Sequence, residues 1–367
     1  MKHILLNVVK SPVTAKKIFS KNLTILSSEK SFHEGGSKIK VVQMFDMLKW
    51  AIKYWEECDY YYHYKLDSYN STFNGYLSKK KFMELREKSN RCFSGGRKID
   101  YTSILTDKII FSQLAKDNFN NPETYFYIRN NKINDAYRLN TKNLIEYFPK
   151  NTKVIIKDSL GQEAGKINIE ADGVLLVEEI DGEFLLNNKS TSVERICNIL
   201  MKKPDWIAQE FLIQEDSIKR LNSSSVNTIR LLTINNGNEI EICKAVLKVG
   251  SPGEIVDNFW TGGILINIDV DTGKFDGGYL FEHQSRDVAT TQQLVSSLKG
   301  NDVPNWADVI TQAKSAHEMV PRIKSIGWDV AITKDKAVII EGNDNWDIVM
   351  FQAFEPLKYY LTDKLTA

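Results

Sequence analysis

The stretch that most constrains this 367-residue chain lies near its end: Ile326-Gly327-Trp328-Asp329-Val330-Ala331-Ile332-Thr333, then Lys334-Asp335-Lys336, then Ala337-Val338-Ile339-Ile340-Glu341-Gly342-Asn343. Two strand-like runs around a short polar turn read as a β-hairpin. With Thr333 opposite Ala337, Ala331 faces Ile339 and Asp329 faces Glu341. Period-two alternation then puts Val330, Ile332, Val338 and Ile340 on one apolar face, and Asp329, Glu341 and Asn343 on the other. Opposed side chains on neighbouring strands stand about 5 Å apart, and like charges there repel. A cation between the two carboxylates would remove that repulsion. The three side chains offer the hard oxygen donors that suit Mg²⁺ or Mn²⁺. An exposed hairpin whose two acids are screened by solvent fits the same spacing, and spacing alone does not choose between them.

Three further elements precede the hairpin. Lys153-Val154-Ile155-Ile156-Lys157 is a short strand that leads into a loop bounded by Gly161 and Gly165. Such a loop can turn backbone N–H groups toward phosphates while a lysine adds a point charge. It is not a Walker A loop, because three residues separate the glycines and Ile167 follows Lys166 where Ser or Thr is required. Next, Ser223-Ser224-Ser225-Val226-Asn227-Thr228-Ile229-Arg230 brings one arginine onto a strand, a planar fork suited to phosphate or to a developing oxyanion. Then Asp257-Asn258-Phe259-Trp260-Thr261-Gly262-Gly263 forms a loop whose paired glycines allow close backbone approach to a ligand. Taken singly, these are also a turn, an exposed arginine and a surface loop. Their order along the chain is the informative feature.

Around these elements, β-branched runs at Val154–Ile156, Val174–Val177, Ile229–Ile234 and Ile240–Val249 alternate with helical stretches at Val193–Met201 and Val309–Val320. The chain before them reads as helical. Val41, Met44, Phe45, Leu48, Ile52 and Trp55 recur at spacings of three and four, which predicts a helix over 41–62 with those residues on one face. A second helix is expected over 72–90 behind the cap candidates Asn70 and Ser71, closing at Ser94-Gly95-Gly96. A third is expected over 108–116. The run Tyr60, Tyr61, Tyr62, His63, Tyr64 reads as packing at a helix end.

Composition narrows the classes. The 48 Lys and Arg nearly balance 47 Asp and Glu, so no overall charge draws the chain to nucleic acid. No apolar stretch is long enough to span a bilayer, and the start lacks a signal-peptide core. Cys58, Cys92, Cys197 and Cys243 are scattered without CxxC spacing, so free thiols in the cytoplasm are the expectation.

In their order (lysine, glycine loop, arginine, Gly-Gly loop, acid, acid, amide) these residues resemble the ATP-grasp superfamily. More narrowly they are similar to the sugar-transfer-associated ATP-grasp proteins of bacterial surface-polysaccharide genes, over about residues 105–352. The resemblance implies an α+β ATP-grasp fold, two α+β subdomains gripping ATP, behind a helical N-terminal region. The divisions expected are 1–97, a linking subdomain at 98–150 and a catalytic body at 151–367, with a nucleotide lobe at 151–212 and a metal and catalytic lobe at 213–367. It also implies roles. Lys108 and Lys157 match the nucleotide lysines, and Gly161 to Gly165 the flexible loop over the phosphates. Ala208 with Gln209, Glu210, Phe211 and Leu212 looks like the hinge strand whose backbone meets adenine, with Gln214 near the ribose. Arg230 matches the arginine that stabilises the transferred phosphate and acyl intermediate. Asp329, Glu341 and Asn343 match the metal triad, while Asn227, Asp257, Asn258, Gly262 and Gly263 fall on the substrate side. Glu215-Asp216 departs from a His-Pro pair common after the hinge, and Phe275 to Gln284 follows no familiar pattern, so the acceptor stays open.

The activity so implied is ATP- and Mg²⁺-dependent carboxylate–amine ligation, ADP-forming and passing through an acyl phosphate. The expected substrates are an amino compound and a sugar acid in capsule or O-antigen synthesis, with no nucleic-acid partner and a cytoplasmic location. A kinase on the same ATP site and a non-catalytic glycan-binding protein are the rival readings.

Overall fold

The computed structural model describes residues 11–28, 36–95, 99–160, 174–251, 263–280 and 288–366. In chain order the helices are α1 (Pro12–Ser28), α2 (Lys40–Tyr54), α3 (Lys79–Phe93), α4 (Ser103–Thr106), α5 (Lys108–Ala115) and α6 (Thr141–Tyr147). They continue as α7 (Val193–Leu200), α8 (Asp216–Lys219), α9 (Val288–Leu298), α10 (Trp306–Glu318), α11 (Val349–Gln352) and α12 (Lys358–Thr366). The chain divides into two compact units. One is Met1–Cys92 with Asp347–Ala367, the other Phe93–Trp346.

In the first unit α2 stops at Tyr54, short of the predicted 62. Trp55 takes a left-handed conformation (φ 56°) and its N–H bonds back to the Ala51 carbonyl, which closes the helix as such caps do. Turns carry the chain on through the tyrosine run, whose Tyr61, Tyr62 and Tyr64 are buried. Tyr64 stacks on Tyr76 at 4.9 Å, so the aromatics pack as expected. The face that α2 buries is not the expected one. Gln43, Met47 and Trp50 point inward, and Gln43 is accommodated there by accepting from the Tyr62 hydroxyl (2.7 Å) and donating to the Lys38 carbonyl (2.6 Å). The second helix starts at Lys79 rather than Thr72, after a 3₁₀ turn at Phe73–Gly75. Its first turn is capped by Ser78, which accepts from the Lys81 N–H, rather than by Asn70 or Ser71. The C-terminal segment joins this unit through Gln352, whose amide exchanges two hydrogen bonds with the Leu77 backbone (2.9 and 3.0 Å).

The second unit holds two antiparallel sheets. Its strands are β1 (Thr124–Arg129), β2 (Lys132–Ile133), β3 (Tyr137–Arg138), β4 (Lys153–Asp158), β5 (Leu175–Ile180), β6 (Glu183–Leu186) and β7 (Lys189–Thr191). They continue as β8 (Trp206–Glu210), β9 (Thr228–Asn235), β10 (Ile240–Val249), β11 (Ile264–Asp269), β12 (Lys274–Leu280), β13 (Ser325–Ile332) and β14 (Ala337–Asn343). One sheet runs β3-β2-β1-β8-β4-β5-β6-β7 and packs α6 and α7 on a core around Val154, Ile156, Val177, Ile196 and Leu200. The other runs β12-β11-β10-β9-β13-β14 and buries Leu231, Leu247, Ile266, Val330 and Ile339 against α5 and α10. The short segment after β8 links them: Glu215 N–H bonds the Ile332 carbonyl at 2.9 Å, and Gln214 bridges to Thr333.

The β13–β14 hairpin forms, with a correction. Asp329 pairs with Glu341, but Val330 pairs with Ile339, Ala331 with Val338 and Ile332 with Ala337. The turn is tighter by one residue than expected, and a bulge at Ile340 restores the Asp329–Glu341 opposition. Val338 therefore packs with Ala331 and Leu212, and Ile340 beside them. Val330, Ile332, Ala337 and Ile339 face the opposite core, so the four residues expected on one face are split between two.

Candidate functional site

Four adjacent strands carry a row of charge across the second sheet. Arg230 on β9 stands opposite Asp329 on β13, which stands opposite Glu341 on β14. Arg230 Nε donates to Asp329 Oδ1 at 2.8 Å and Nη2 to Oδ2 at 2.9 Å, a bidentate fork. From β10, Lys248 Nζ comes within 3.1 Å of the same Oδ1. Arg230, Lys248 and Asp329 are all buried. Burial alone would push the Asp329 carboxyl up, yet the charges and hydrogen bonds of Arg230 and Lys248 outweigh it and hold the group below the usual carboxylate range.

Glycine makes room for this row. A Cβ on Gly327 would lie 2.7 Å from Cβ of Trp346 and 3.3 Å from Cδ of Arg230, so the guanidinium stem lies against bare backbone. Beneath the row, Trp328 Nε1–H donates to Thr233 Oγ1 (2.7 Å), Thr233 faces His317 Nδ1 (2.7 Å), and His317 Nε2 faces the Ile323 carbonyl (2.8 Å). The carbonyl can only accept, which assigns the proton to Nε2 and leaves Nδ1 to accept from Thr233. Burial pushes the His317 pKa down to about 4, against an opposing pull from the Ile323 carbonyl. The sign follows. The folded value lies below the unfolded one near 6.5, so the unfolded chain takes up the proton first, and stability falls as pH drops from about 6.5 toward 4. The loss attached to this one group is at most about 3 kcal/mol. Urea melts at pH 7.0 and 4.5 should show a smaller drop in His317→Gln than in the parent. Equal drops would remove His317 from the account.

The other sheet contributes Lys157, and α5 contributes Lys108. Lys157, half-buried near the end of β4, has its amine pushed down to about 8, first by burial and then by the neighbouring charge of Lys108. Glu341 and Asp329 act on it in the opposite sense. Those four groups are therefore electrostatic neighbours, although they come from four different elements. Lys108 is placed at the first position of α5, where Asp107 caps the helix by accepting from the Ile109 and Ile110 N–H groups. The Lys108 backbone N–H also bonds the Ser159 carbonyl just beyond β4 (2.9 Å).

Gln209 and Glu210 end β8, and Phe211 and Leu212 leave it; Leu212 packs on Ala331 and Val338. Gln209 Nε2 lies 3.3–3.4 Å from Asn121, Pro122 and Thr124. Gln214 and Asn227 bind each other, with Gln214 Nε2 donating to the Asn227 carbonyl (2.7 Å) and the Asn227 N–H donating to Gln214 Oε1 (2.9 Å). Asn227 Nδ2 also reaches the Ile218 and Asn222 carbonyls. These two side chains thus fasten the approach to β9. Glu215 accepts from the N–H groups of Ser217 and Ile218 and so caps α8. Gly263 is buried directly before β11. Gly161, Gly165, Asp257, Asn258 and Gly262 lie outside the described residues. Lys248 was not among the expected residues. Its signal was a lone lysine in the continuously buried run Ala245 to Val249.

The donor set fits a divalent cation and a nucleotide. Glu341 and Asn343 make no ion pair among the described residues, and Asn343 uses only its Nδ2, toward the Gly327 carbonyl (3.3 Å) and Glu341 (3.5 Å). Glu341 Oε2, Asn343 Oδ1 and one lone pair of Asp329 Oδ2 thus remain as hard oxygen donors, a set suited to Mg²⁺. Near the lysines, the buried atoms Ser159 Oγ and Gln209 Oε1 have no hydrogen-bond partner among the described residues. Among the described residues, four cationic side chains (Lys108, Lys157, Arg230, Lys248) meet two carboxylates here. The excess of positive charge favours a polyanionic ligand.

The profile of a family described as sugar-transfer associated ATP-grasp matches residues 97–356. No curated protein matches the sequence. Among solved structures, an L-amino acid ligase from Bacillus licheniformis aligns at 9% identity and TM-score 0.40, covering 72% of this chain and 48% of its own. A D-alanine–D-alanine ligase from Bacillus anthracis aligns at 8% identity and TM-score 0.36, covering 72% and 70%. An N5-carboxyaminoimidazole synthetase from Staphylococcus aureus, complexed with ADP, aligns at 10% identity and TM-score 0.38, covering 70% and 52%. The chain spans about half the length of the first and third of these.

Proposed function

The chain belongs to the sugar-transfer associated ATP-grasp family and has the ATP-grasp fold, and from that premise we propose that it is an ADP-forming ligase that joins a sugar acid to an amine in surface-polysaccharide synthesis. The observation that carries the reading is the row Lys248, Arg230, Asp329, Glu341 facing Lys157 and Lys108. A carboxylate is a poor electrophile, since its charge repels a nucleophile and it lacks a leaving group. In the proposed reaction a carboxylate oxygen attacks the γ-phosphorus of ATP, the bond to the bridging oxygen breaks, and ADP leaves. The amine nitrogen then attacks the acyl carbon, phosphate departs with the C–O bond pair, and the nitrogen loses a proton. Products are amide, ADP and phosphate.

The chain's own groups divide this work. Lys108 and Lys157 hold the phosphates, and the backbone of Gln209 to Leu212 meets the adenine. Gln214 and Asn227 keep the link between the sheets in register, with Gln214 lying toward the ribose. Arg230, fixed by its bidentate partner, presents its guanidinium to the oxyanion, where preorganised donors act most strongly. Asp329, Glu341 and Asn343 would hold Mg²⁺ or Mn²⁺, which neutralises charge between phosphates when bound. The loops with Gly161 and Gly165, and with Asp257, Asn258, Gly262 and Gly263, are assigned to phosphates and acceptor respectively. The test is incubation with ATP, Mg²⁺ and a matrix of sugar acids and amines, read by ADP release and product mass. An amide, lighter by one water than acid plus amine, is expected. A product that gains phosphate instead would make the protein a kinase.

One consequence concerns protons. With its amine at about 8, Lys157 is mostly neutral at pH 8.5, whereas a bound phosphate favours the charged form. Nucleotide binding at pH 8.5 should therefore take up as much as about three-quarters of a proton, falling toward zero at pH 6.5. Calorimetry in buffers of different ionisation enthalpy measures this. Equal proton uptake at both pH values would separate Lys157 from the phosphates.

A further inference from the structure

The periodic residues of α2 that predict a buried face are the ones the fold leaves in solvent. Val41, Phe45, Leu48 and Ile52 are 56%, 52%, 42% and 42% exposed. Their spacing of four, three and four places them in one stripe, directly opposite the buried Gln43, Met47 and Trp50. Two apolar faces on one helix are unusual in a globular unit, since one normally meets water with polar residues. Lys49 and Lys53, one turn apart, run along a flank of the stripe and are exposed. The single acid of the helix, Asp46, is largely buried, with Lys38 at 2.8 Å and the exposed Lys49 at 3.9 Å, so the helix offers no uncompensated negative charge outward. The neighbouring α1 has no acidic residue and exposes Lys16, Lys17, Phe19 and Leu23.

Charge is divided between the units in the same sense. The unit that contains α2 has 19 Lys and Arg against 12 Asp and Glu, a net of +7, while the other has 29 against 35, a net of −6. The near-neutral total of the chain hides this asymmetry. An apolar stripe flanked by lysines on a basic unit matches the chemistry of an anionic lipid surface: side chains enter the acyl boundary and lysines reach the headgroups. A second copy of the chain would place like-charged units together, which disfavours it. No helix among the described residues is long and apolar enough to cross a membrane, so the contact is peripheral. We propose that α2 docks the basic unit on an anionic membrane surface through Val41, Phe45, Leu48 and Ile52.

The test is co-sedimentation of the full chain with vesicles of phosphatidylcholine alone or containing phosphatidylglycerol, over a salt series, with sedimentation velocity alongside. The proposal predicts binding to the anionic vesicles, weakened by salt. Leu48→Glu should weaken it at least about tenfold by putting a charge where the lipid-bound state needs an apolar side chain, and Lys49→Glu with Lys53→Glu should steepen the loss. Both variants change exposed residues, and their melting temperatures and nucleotide binding should match the parent. Absence of vesicle binding by the parent overturns the proposal. So does a parent that sediments as a dimer and becomes a monomer in Leu48→Glu, which assigns the stripe to a second copy. Binding that Leu48→Glu leaves unchanged overturns the assignment to α2. None of these outcomes depends on whether the ligase reading holds.

Discussion

Glu341→Gln should lower Mg²⁺-dependent turnover at least about a thousandfold, the rate equivalent of losing several kcal/mol of charge stabilisation, while the protein melts where the parent does. Three features make this variant clean. Glu341 opposes Asp329 across the hairpin but makes no ion pair among the described residues. It is half-buried, so an isosteric amide leaves neither a cavity nor an isolated buried charge. It is also one of the charges that favour protonated Lys157, so its loss should lower the lysine further and weaken nucleotide binding above pH 7. Asp329→Asn is a less discriminating change. Its carboxylate balances both Arg230 and Lys248, and two buried cations would be left facing an amide. Retained activity in Glu341→Gln would remove the hairpin from the metal site.

Arg230→Ala should show two losses together. Turnover should fall about a hundredfold to a thousandfold, the range for deleting one preorganised oxyanion donor. Stability should fall as well, because Asp329 loses its bidentate partner while still buried. Breaking a buried pair this way costs about 3–5 kcal/mol when the remaining charge has no other partner. Lys248 at 3.1 Å retains part of the compensation, so the lower end is expected. Arg230→Lys discriminates the two losses. It restores charge, and with it much of the stability, but not the planar fork, so turnover should remain low. If Arg230→Lys turned over like the parent, the arginine would be a structural counter-ion to Asp329 and no more.

What the sequence made legible was mostly local. Period-two alternation marked the hairpin and brought Asp329 opposite Glu341. The helix expected over 108–116 matches α5 almost to its ends, although its cap, Asp107, was not read from the sequence. What stayed hidden depended on non-local contacts. A bulge at Ile340 cannot be read from alternation, because a tighter turn and a bulged strand cancel at Asp329. In α2, residues 41, 45, 48, 52 and residues 43, 47, 50 each recur at helical spacing, and only packing selected the second set. Gln43 drew that face inward through Tyr62, a partner 19 residues on. The union of the C-terminal helices with the first unit, fastened by Gln352 on Leu77, leaves no mark in either segment alone. Lys248 shows the reverse: the signal, a lysine in a buried run, was present, but its partner sits two strands away in the sheet.

In the proposed function the two sheets of the second unit form a Mg²⁺-dependent nucleotide site. Titration calorimetry of the full chain with the non-hydrolysable analogue AMP-PNP, with and without Mg²⁺, tests it most directly. The structure predicts saturable binding that Mg²⁺ tightens in the parent and no longer tightens in Glu341→Gln. No binding at millimolar analogue, with or without Mg²⁺, would contradict it.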